Sequence, residues 1–306
     1  EIGPDLGENA VGSYMVVDLR TGDVTYEEGR VSDYTNNIYK TAKMAFRRVP
    51  AGQYAVQDGA MWADITYDYF IGVYEVTAGQ YALMQNPNAA VAATEANMTP
   101  RVNVSYYTFR GTQYGNYAPR ATSPLGALTK RVRSATGDVS FAFDLPTEAM
   151  WEVAARAMPA GDSSHATWPW FFGTSSTALG DYAWHLGNSG RTVHVAGLKQ
   201  PNAWGFYDMY GNVSEWCIDS YNESTYIVAN ALAPTYNYSA VDEDPIAMKR
   251  KVVRGGSWKD QKYFIQVQTR SYEFQDTSKC YIGFRCVQSY MGRVKGDNLK
   301  TASNVN

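Results

Sequence analysis

The chain has 306 residues, of which 45% are hydrophobic and 19% are charged, so it is long enough for one large globular domain or two small ones. Its formal net charge of −3 offers no basic surface to a polyanion, and we expect no nucleic-acid partner. No apolar run approaches the ~20 residues of a membrane-spanning helix, so we expect no membrane span. The 24 Tyr and 8 Trp give an aromatic-rich composition that suits an exported protein.

The N-terminal part of the sequence predicts a small group of strands. Weak alternation of apolar and polar residues predicts a strand over Ser13–Leu19, with Val24–Glu27 returning as a hairpin and Ala42–Val49 as a third strand. Residues 1–12 show no periodicity and are expected to form a tail. We therefore interpret residues 1–44 as a tail and a β extension packed on the main domain; the alternative is the end of a longer upstream module.

The next segment predicts one buried strand and one short helix. Tyr67–Glu75 is rich in β-branched and aromatic residues, which is typical of a buried strand. Thr77 is a suitable N-cap for a helix over Ala78–Met84. Scattered Gly, Pro, Ser and Thr predict loops over residues 86–100 and 111–140.

The clearest helical pattern covers Thr147–Met158. Thr147 can cap this helix, and Glu152 and Arg156 form a favourable i,i+4 pair. Four apolar residues at helical spacing predict a single buried stripe: Trp151, Ala154, Ala155 and Met158. Further along, Val252–Trp258 and Ile282–Val287 are predicted to be the last two strands, with a long excursion between them.

The stretch Pro201–Trp216 has an unusual composition, because aromatic residues and Met are interleaved with turn-forming residues. Each aromatic ring buries on the order of 150–250 Å², so this stretch must be covered by the rest of the protein. Its Pro, Gly and Asn residues break regular structure. We expect an irregular, buried core segment whose backbone groups are satisfied by polar side chains, namely Asn202, Asp208, Asn212 and Glu215.

This stretch also resembles the signature of the formylglycine-generating enzyme, or sulfatase-modifying factor, family. Four other stretches agree with the family and occur in its order: Phe70–Thr77, Leu145–Arg156, Arg254–Trp258 and Gly283–Arg285. The resemblance implies an α+β fold, an elaborated C-type-lectin-like domain with much irregular structure. We place this domain at residues 45–290, followed by a polar tail over residues 291–306.

The catalytic cysteines of the family have no counterpart here. In the family, two cysteines lie two and seven residues after the Trp of the Gly-Gly-Ser-Trp motif, where they bind Cu(I), a soft ion that prefers thiolates. The matching positions of this chain are Asp260 and Ile265. We therefore expect no copper and no catalytic residues, so that an enzyme is the less favoured interpretation.

The three cysteines of the chain do not replace that pair. Cys280 and Cys286 bracket a predicted strand, which would separate them by about 20 Å, too far for a disulfide or a shared metal. Cys217 and Cys286 are expected to be core residues. Whether they pair is left open, since it depends on export.

The resemblance also implies a calcium site. The family binds Ca²⁺ around a Gly-Asn-x-x-Glu-Trp turn through backbone carbonyl groups and the Glu carboxylate, and hard oxygen ligands suit this ion. The matching positions are Tyr210, Gly211, Val213 and Glu215. The alternative is that Glu215 accepts hydrogen bonds from backbone N–H groups or from an Arg.

Residues 259–274 lie where the family has its active groove. The same region is the variable, receptor-reading surface of phage and bacterial proteins that retroelements diversify and that share this fold. Its mixture of rings, amides and charges suits recognition of a protein, a glycan or a second copy of the chain. We expect the ligand-binding residues to be Tyr263, Tyr272 and Phe274 as aromatic anchors, with Asp260, Gln268 and Arg270 as polar contacts.

Two C-terminal stretches, Arg254–Asp260 and Tyr281–Cys286, are also similar to gliding-motility and secretion-machinery lipoproteins of Bacteroidetes, which are non-catalytic and build cell-envelope assemblies. The leading hypothesis is a non-catalytic binding or assembly module, extracellular or in a bacterial cell envelope. One alternative is a structural subunit of a filament, ring or envelope complex. The other, disfavoured by the missing cysteines, is an O₂-dependent oxidase that activates sulfatases.

Overall fold

The structure is a computed structural model that describes residues 13–111, 118–221 and 244–289. The tails expected at residues 1–12 and 291–306 lie outside the described residues. The strands are β1 (Tyr14–Asp18), β2 (Val24–Glu27), β3 (Lys43–Val49), β4 (Gly52–Val56), β5 (Met61–Ile65), β6 (Tyr69–Gly72), β7 (Phe143–Asp144), β8 (Ser214–Ser220), β9 (Arg250–Arg254), β10 (Ser271–Phe274), β11 (Ile282–Gly283) and β12 (Val287–Ser289). The α-helices are α1 (Ala78–Gln85), α2 (Glu95–Met98), α3 (Tyr106–Arg110), α4 (Pro124–Thr136), α5 (Glu148–Arg156) and α6 (Leu179–Tyr182).

The larger sheet is antiparallel and has the strand order β2-β1-β3-β6-β12-β7. Both faces of this sheet are covered. Side chains alternate between the two faces along each strand, and those on opposite faces enter different parts of the core. Tyr69 and Ile71 pack in one cluster with α5, whereas Phe70 packs in another with α1 and α4. The predicted β extension is continuous with this sheet, since β1 pairs with β3 from Tyr14 opposite Arg47 onwards.

The second sheet has the order β10-β9-β8-β11, with β8 and β11 parallel, and a separate hairpin is formed by β4 and β5. The strand predicted over Val252–Trp258 ends earlier than expected, because Gly255 and Gly256 adopt positive φ angles of 87° and 66°. The strand predicted over Ile282–Val287 is instead two short strands that belong to different sheets. The chain crosses from one sheet to the other between them.

Helix α5 is central to the fold. Thr147 caps it as predicted, its side chain accepting a hydrogen bond from the backbone N–H of Met150 at 3.1 Å. The prediction of a single apolar stripe is wrong, because every residue of α5 is buried, including Glu148 and Glu152. The helix packs against β4, β8 and β9, so its acidic side chains need partners inside the protein.

The loops predicted over residues 86–100 and 111–140 each contain a helix, α2 and α4 respectively, so these two predictions are wrong. Both ends of α4 carry sequence signals for a helix. Ser123 caps the N-terminus by accepting from Gly126 N–H, Pro124 begins the helix, and Gly137 ends it in the left-handed conformation. Three apolar residues of α4 complete the pattern by entering the core: Leu125, Leu128 and Val132.

The prediction that Pro201–Trp216 is an irregular, buried segment is confirmed, but Glu215 accepts from the side chains of Trp151 and Arg285 and not from backbone groups. Regular structure begins only at Ser214, and the aromatic residues of the stretch are buried. Asn202 organises the first turn: its Oδ1 accepts from the N–H groups of Trp204 and Phe206 at 3.1 and 3.0 Å, and its Nδ2 donates to the carbonyl of Ala154 at 2.7 Å. One amide side chain thus ties the irregular segment to α5. Among the described residues, no helix is long and apolar enough to cross a membrane.

Candidate functional site

The two positions that match the family's copper-binding cysteines have structural roles. The Asp260 carboxylate accepts from the backbone N–H and the hydroxyl of Ser257 at 2.9 and 2.7 Å and pairs with Lys259 at 2.9 Å. Ile265 is fully buried in the core. In the described parts of the chain, no group of three or more His, Cys, Asp or Glu side chains is placed to hold a metal.

The predicted recognition surface contains a pair of exposed aromatic rings. Tyr263 is 68% exposed and Phe264 is 52% exposed, and their rings meet edge to face with centroids 5.3 Å apart. Both belong to a 3₁₀ turn over Lys262–Ile265, whose last residue is buried. Sequence reasoning named Tyr263 and missed Phe264.

The other predicted ligand-binding residues are half-buried and already have partners. Arg270 donates to both carboxylate oxygens of Glu148, from Nε at 2.7 Å and from a terminal nitrogen at 2.8 Å. Tyr272 packs edge to face against Phe274 at 6.0 Å. Gln268 donates to the side chain of Gln266 at 2.9 Å. These side chains contact other groups of the protein, whereas the rings of Tyr263 and Phe264 are exposed to solvent.

A first buried ion network joins α5 to β9. Arg254 donates to Glu148 at 2.6 Å and to Glu152 at 2.9 Å, and its guanidinium lies 5.1 Å from the ring centre of Trp151. Arg156 adds a second cation 2.8 Å from Glu152. Burial favours the neutral form of Glu152, but the two guanidinium groups outweigh it and lower its pKa. The motif Arg254–Trp258 therefore supplies the charge that α5 needs.

A second buried network surrounds Arg285. This residue donates to both oxygens of Glu215, from Nε and from a terminal nitrogen, each at 2.7 Å. Trp151 Nε1 donates to Glu215 as well, at 2.8 Å. Nearby, Glu75 accepts from Asn212 Nδ2 at 2.8 Å, and its burial, reinforced by the charges of Asp208 and Glu215, raises its pKa well above the usual value.

Of the four residues predicted to bind calcium, Glu215 does not fit the ion in this arrangement. Both of its oxygens accept from Arg285, so a cation bound there would be repelled by a buried guanidinium. This geometry supports the alternative predicted for Glu215. The side chain of Tyr210 donates to Ala155 at 2.8 Å, and Gly211 forms the turn with a φ of 79°. Calcium binding through the carbonyl groups of Tyr210, Gly211 and Val213 stays a prediction.

The cysteines are all free thiols. Cys217 and Cys286 are buried as predicted, but they belong to different core clusters, and Cys280 is exposed. Burial raises the pKa of both buried thiols, which keeps them protonated and unreactive at neutral pH.

Asp208 makes the stability of the second network depend on pH. Its Oδ2 accepts from Gly197 N–H at 2.6 Å, but its buried Oδ1 has no partner among the described residues. Burial raises its pKa to about 6, above the ~3.9 of an unfolded chain, so the folded state binds more protons between these values. Its contribution to stability is therefore complete below pH ~4 and is lost as the pH rises to ~6.

Asp208→Asn removes this titration. We therefore expect the free energy of unfolding of the variant, relative to that of wild type, to increase as the pH rises from 4 to 7, by on the order of 1.4 kcal/mol for each unit by which the pKa of Asp208 is raised. Urea unfolding of both chains across this range measures the difference. Asn suits this position, since Asp208 has a positive φ of 55°. A difference between the two chains that does not change with pH would contradict the assignment.

Comparison with known proteins agrees with this architecture. Residues 40–290 match the family described as "Sulfatase-modifying factor enzyme 1-like domain", and the chain belongs to that family. The fold prediction is also confirmed by a solved structure, Treponema denticola variable protein 1, with a TM-score of 0.58 and 20% identity over 81% of this chain and 95% of that one. At this identity the likeness shows the fold alone.

Two curated relatives illustrate the range of the family. The formylglycine-generating enzyme of Thermomonospora curvata is 30% identical over 46% of this chain and 48% of its own length. The inactive C-alpha-formylglycine-generating enzyme 2 of Mus musculus is 30% identical over 50% of this chain and 45% of its own length. The chain thus spans about half the length of each of these relatives.

Proposed function

We propose that this chain is a non-catalytic binding or assembly module, extracellular or in a bacterial cell envelope, on a sulfatase-modifying factor scaffold. The observation that supports this most directly is the side-chain chemistry at the two copper positions. Ile265 is a core residue without a ligand atom, and the Asp260 oxygens hold the turn that contains Ser257. The family also includes a mouse member whose name describes it as inactive.

The recognition surface in this proposal is residues 259–274, with the ring pair Tyr263 and Phe264 at its centre. Exposed aromatic side chains provide large contact areas at low cost in conformational entropy. The turn that carries them is anchored by the buried Ile265, and Thr269 Oγ1 donates to the carbonyl of Tyr263 at 3.2 Å. A partner therefore meets rings on a fixed support, which limits the entropy lost on binding.

We expect the double substitution Tyr263→Ser and Phe264→Ser to weaken binding by about tenfold or more, because exposed aromatic anchors carry much of the energy of interfaces. A glycan array probed with labelled chain measures carbohydrate binding, and sedimentation velocity measures self-association. The matched control is Trp62→Ser, which removes a ring that is 44% exposed on the β4–β5 hairpin. This control is expected to leave both readouts unchanged.

The same measurements separate the alternatives. A sedimentation coefficient that rises with protein concentration in wild type, but not in the double variant, favours a structural subunit. Glycan binding by a monomer favours a ligand-binding module. Equal behaviour of the double variant and wild type would contradict the proposed surface. Stoichiometric Cu(I) binding, with oxygen consumed while a cysteine-containing peptide is oxidised, would contradict the non-catalytic assignment.

A further inference from the structure

A small aromatic cavity lies beside the C-terminal end of α5, where Arg156 forms part of its lining. Its volume is about 140 Å³, and residues of the 156–171 segment form most of its wall. Val267 and Ala203 also line it. Its charged and aromatic lining residues, with one imidazole, are Arg156, Asp162, His165, Trp168, Trp170 and Phe171.

Neighbouring side chains hold the aromatic walls of the cavity in place. The ring of His165 lies 3.7 Å from that of Trp168. Trp170 stacks on Phe172 with a centroid distance of 5.8 Å and an angle of 2° between the planes. Trp170 is buried, and its Nε1 has no hydrogen-bond partner among the described residues. The cavity wall thus combines fixed ring surfaces with a buried indole N–H group for which the described residues provide no acceptor.

The positive charge that Arg156 brings to the cavity is compensated by two carboxylates. Its guanidinium lies 2.8 Å from Glu152, which it shares with Arg254, and 3.6 Å from Asp58. Arg156 also donates to the carbonyl of Ala166 at 2.5 Å. Asp162 adds a carboxylate to the lining, and the hydrogen bond from Ser164 N–H, at 2.8 Å, helps to keep its pKa low. The negative faces of the aromatic rings add to the negative electrostatic potential of this carboxylate.

We propose that this cavity binds a small organic cation of the quaternary or methylated ammonium class. Such a group is weakly hydrated, and it is stabilised when aromatic faces lie within about 6 Å of the charge. In this site the rings of Trp168, Trp170 and Phe171 contact the methyl groups, and the carboxylate of Asp162 offsets the charge. The proposal does not involve the ring pair Tyr263 and Phe264, although Val267 of residues 259–274 also lines the cavity.

The test compares two probes of the same shape. Choline and 3,3-dimethyl-1-butanol share a hydroxyl group and three methyl groups, but only choline carries a positive charge. We expect isothermal titration of the full chain to show one choline site with affinity about tenfold or more above that of the neutral alcohol. Equal affinities would overturn the proposal, as would a lack of choline binding or competition by acetate.

Two variants locate the site. Trp168→Leu removes a ring and is expected to weaken choline binding about tenfold, whereas Trp168→Phe, which keeps a ring, is expected to weaken it less. Asp162→Asn keeps an acceptor for Ser164 N–H but removes the charge, so a loss of affinity here does not depend on the fold of the tryptophan variants. Full choline binding by both Trp168→Leu and Asp162→Asn would overturn the assignment to this cavity. Loss of choline binding in the Tyr263 and Phe264 double variant would likewise place the site elsewhere.

Discussion

Replacing Arg285 with Met is expected to destabilise the folded protein by about 3–5 kcal/mol, because it leaves a buried carboxylate without its cation. Arg285 and Glu215 are each at most 1% exposed and are joined by two hydrogen bonds of 2.7 Å. The guanidinium also donates to backbone carbonyl groups of Gly72 and Tyr207 at 2.8 and 2.9 Å. Its loss therefore removes contacts between three distant parts of the chain as well as a charge.

Chemical unfolding monitored by circular dichroism measures this loss, and Arg48→Met is its matched control. Arg48 also pairs with a carboxylate, that of Asp68, but both side chains are 18% exposed, so water can replace part of the lost interaction. We expect the control to cost about 1 kcal/mol, because water screens the pair. Equal losses in the two variants would show that burial does not set the energy of the Arg285 network.

A second substitution tests the cause of the effect. Adding Glu215→Gln to Arg285→Met removes the uncompensated charge and is expected to recover part of the lost stability, because the neutral amide is less costly to bury. Gln can also still accept from Trp151 Nε1. A double variant no more stable than Arg285→Met would assign the loss to packing and backbone contacts instead of charge.

Local patterns predicted much of the fold where a residue's neighbours in sequence decide its structure. The cap at Thr77 is an example: it forms a capping box with Gln80, and the helix that follows was predicted. Helix α4 was not predicted, although Ser123 and Gly137 mark its two ends. Scattered turn-forming residues in the surrounding loops outweighed its periodicity. These errors concern signals that were present in the sequence.

The ion networks could not be predicted in the same way, because their partners are far apart in sequence. Arg254 pairs with Glu148, 106 residues away, and Arg285 pairs with Glu215, 70 residues away. The resemblance marked the motifs that contain these residues without showing which charges they join. This is why the apolar stripe predicted for α5 underestimated its burial: the helix has polar partners on its other faces.

The candidate recognition site was predicted only in part, because some of its contacts also join residues that are far apart in sequence. The composition of residues 259–274 indicated a surface, and Tyr263 is indeed exposed. Adjacent apolar residues in a 3₁₀ turn have no distinguishing pattern, however, and only the structure shows that Phe264 faces solvent while Ile265 is buried. Arg270 was predicted to contact a ligand, but it pairs with Glu148, 122 residues away.

The second large effect is expected at Gly211, where we predict that Ala lowers the free energy of unfolding by about 3 kcal/mol or more. A Cβ atom at Gly211 would lie 2.1 Å from the carbonyl oxygen of Trp184, which already accepts from Asn212 N–H at 2.8 Å. The obstacle is backbone, so relief requires the turn to move. The φ of 79° adds the cost of a left-handed conformation, about 1–2 kcal/mol for a residue with a side chain.

The matched control is Gly137→Ala at the end of α4. Gly137 has a similar φ of 71°, but an added Cβ would meet nothing within 4 Å, so only the conformational cost of about 1–2 kcal/mol remains. The difference in unfolding free energy between the two variants isolates the close approach of Gly211 to Trp184. Equal losses would mean that the turn yields without cost, and that the Gly of this motif is needed for its backbone conformation alone.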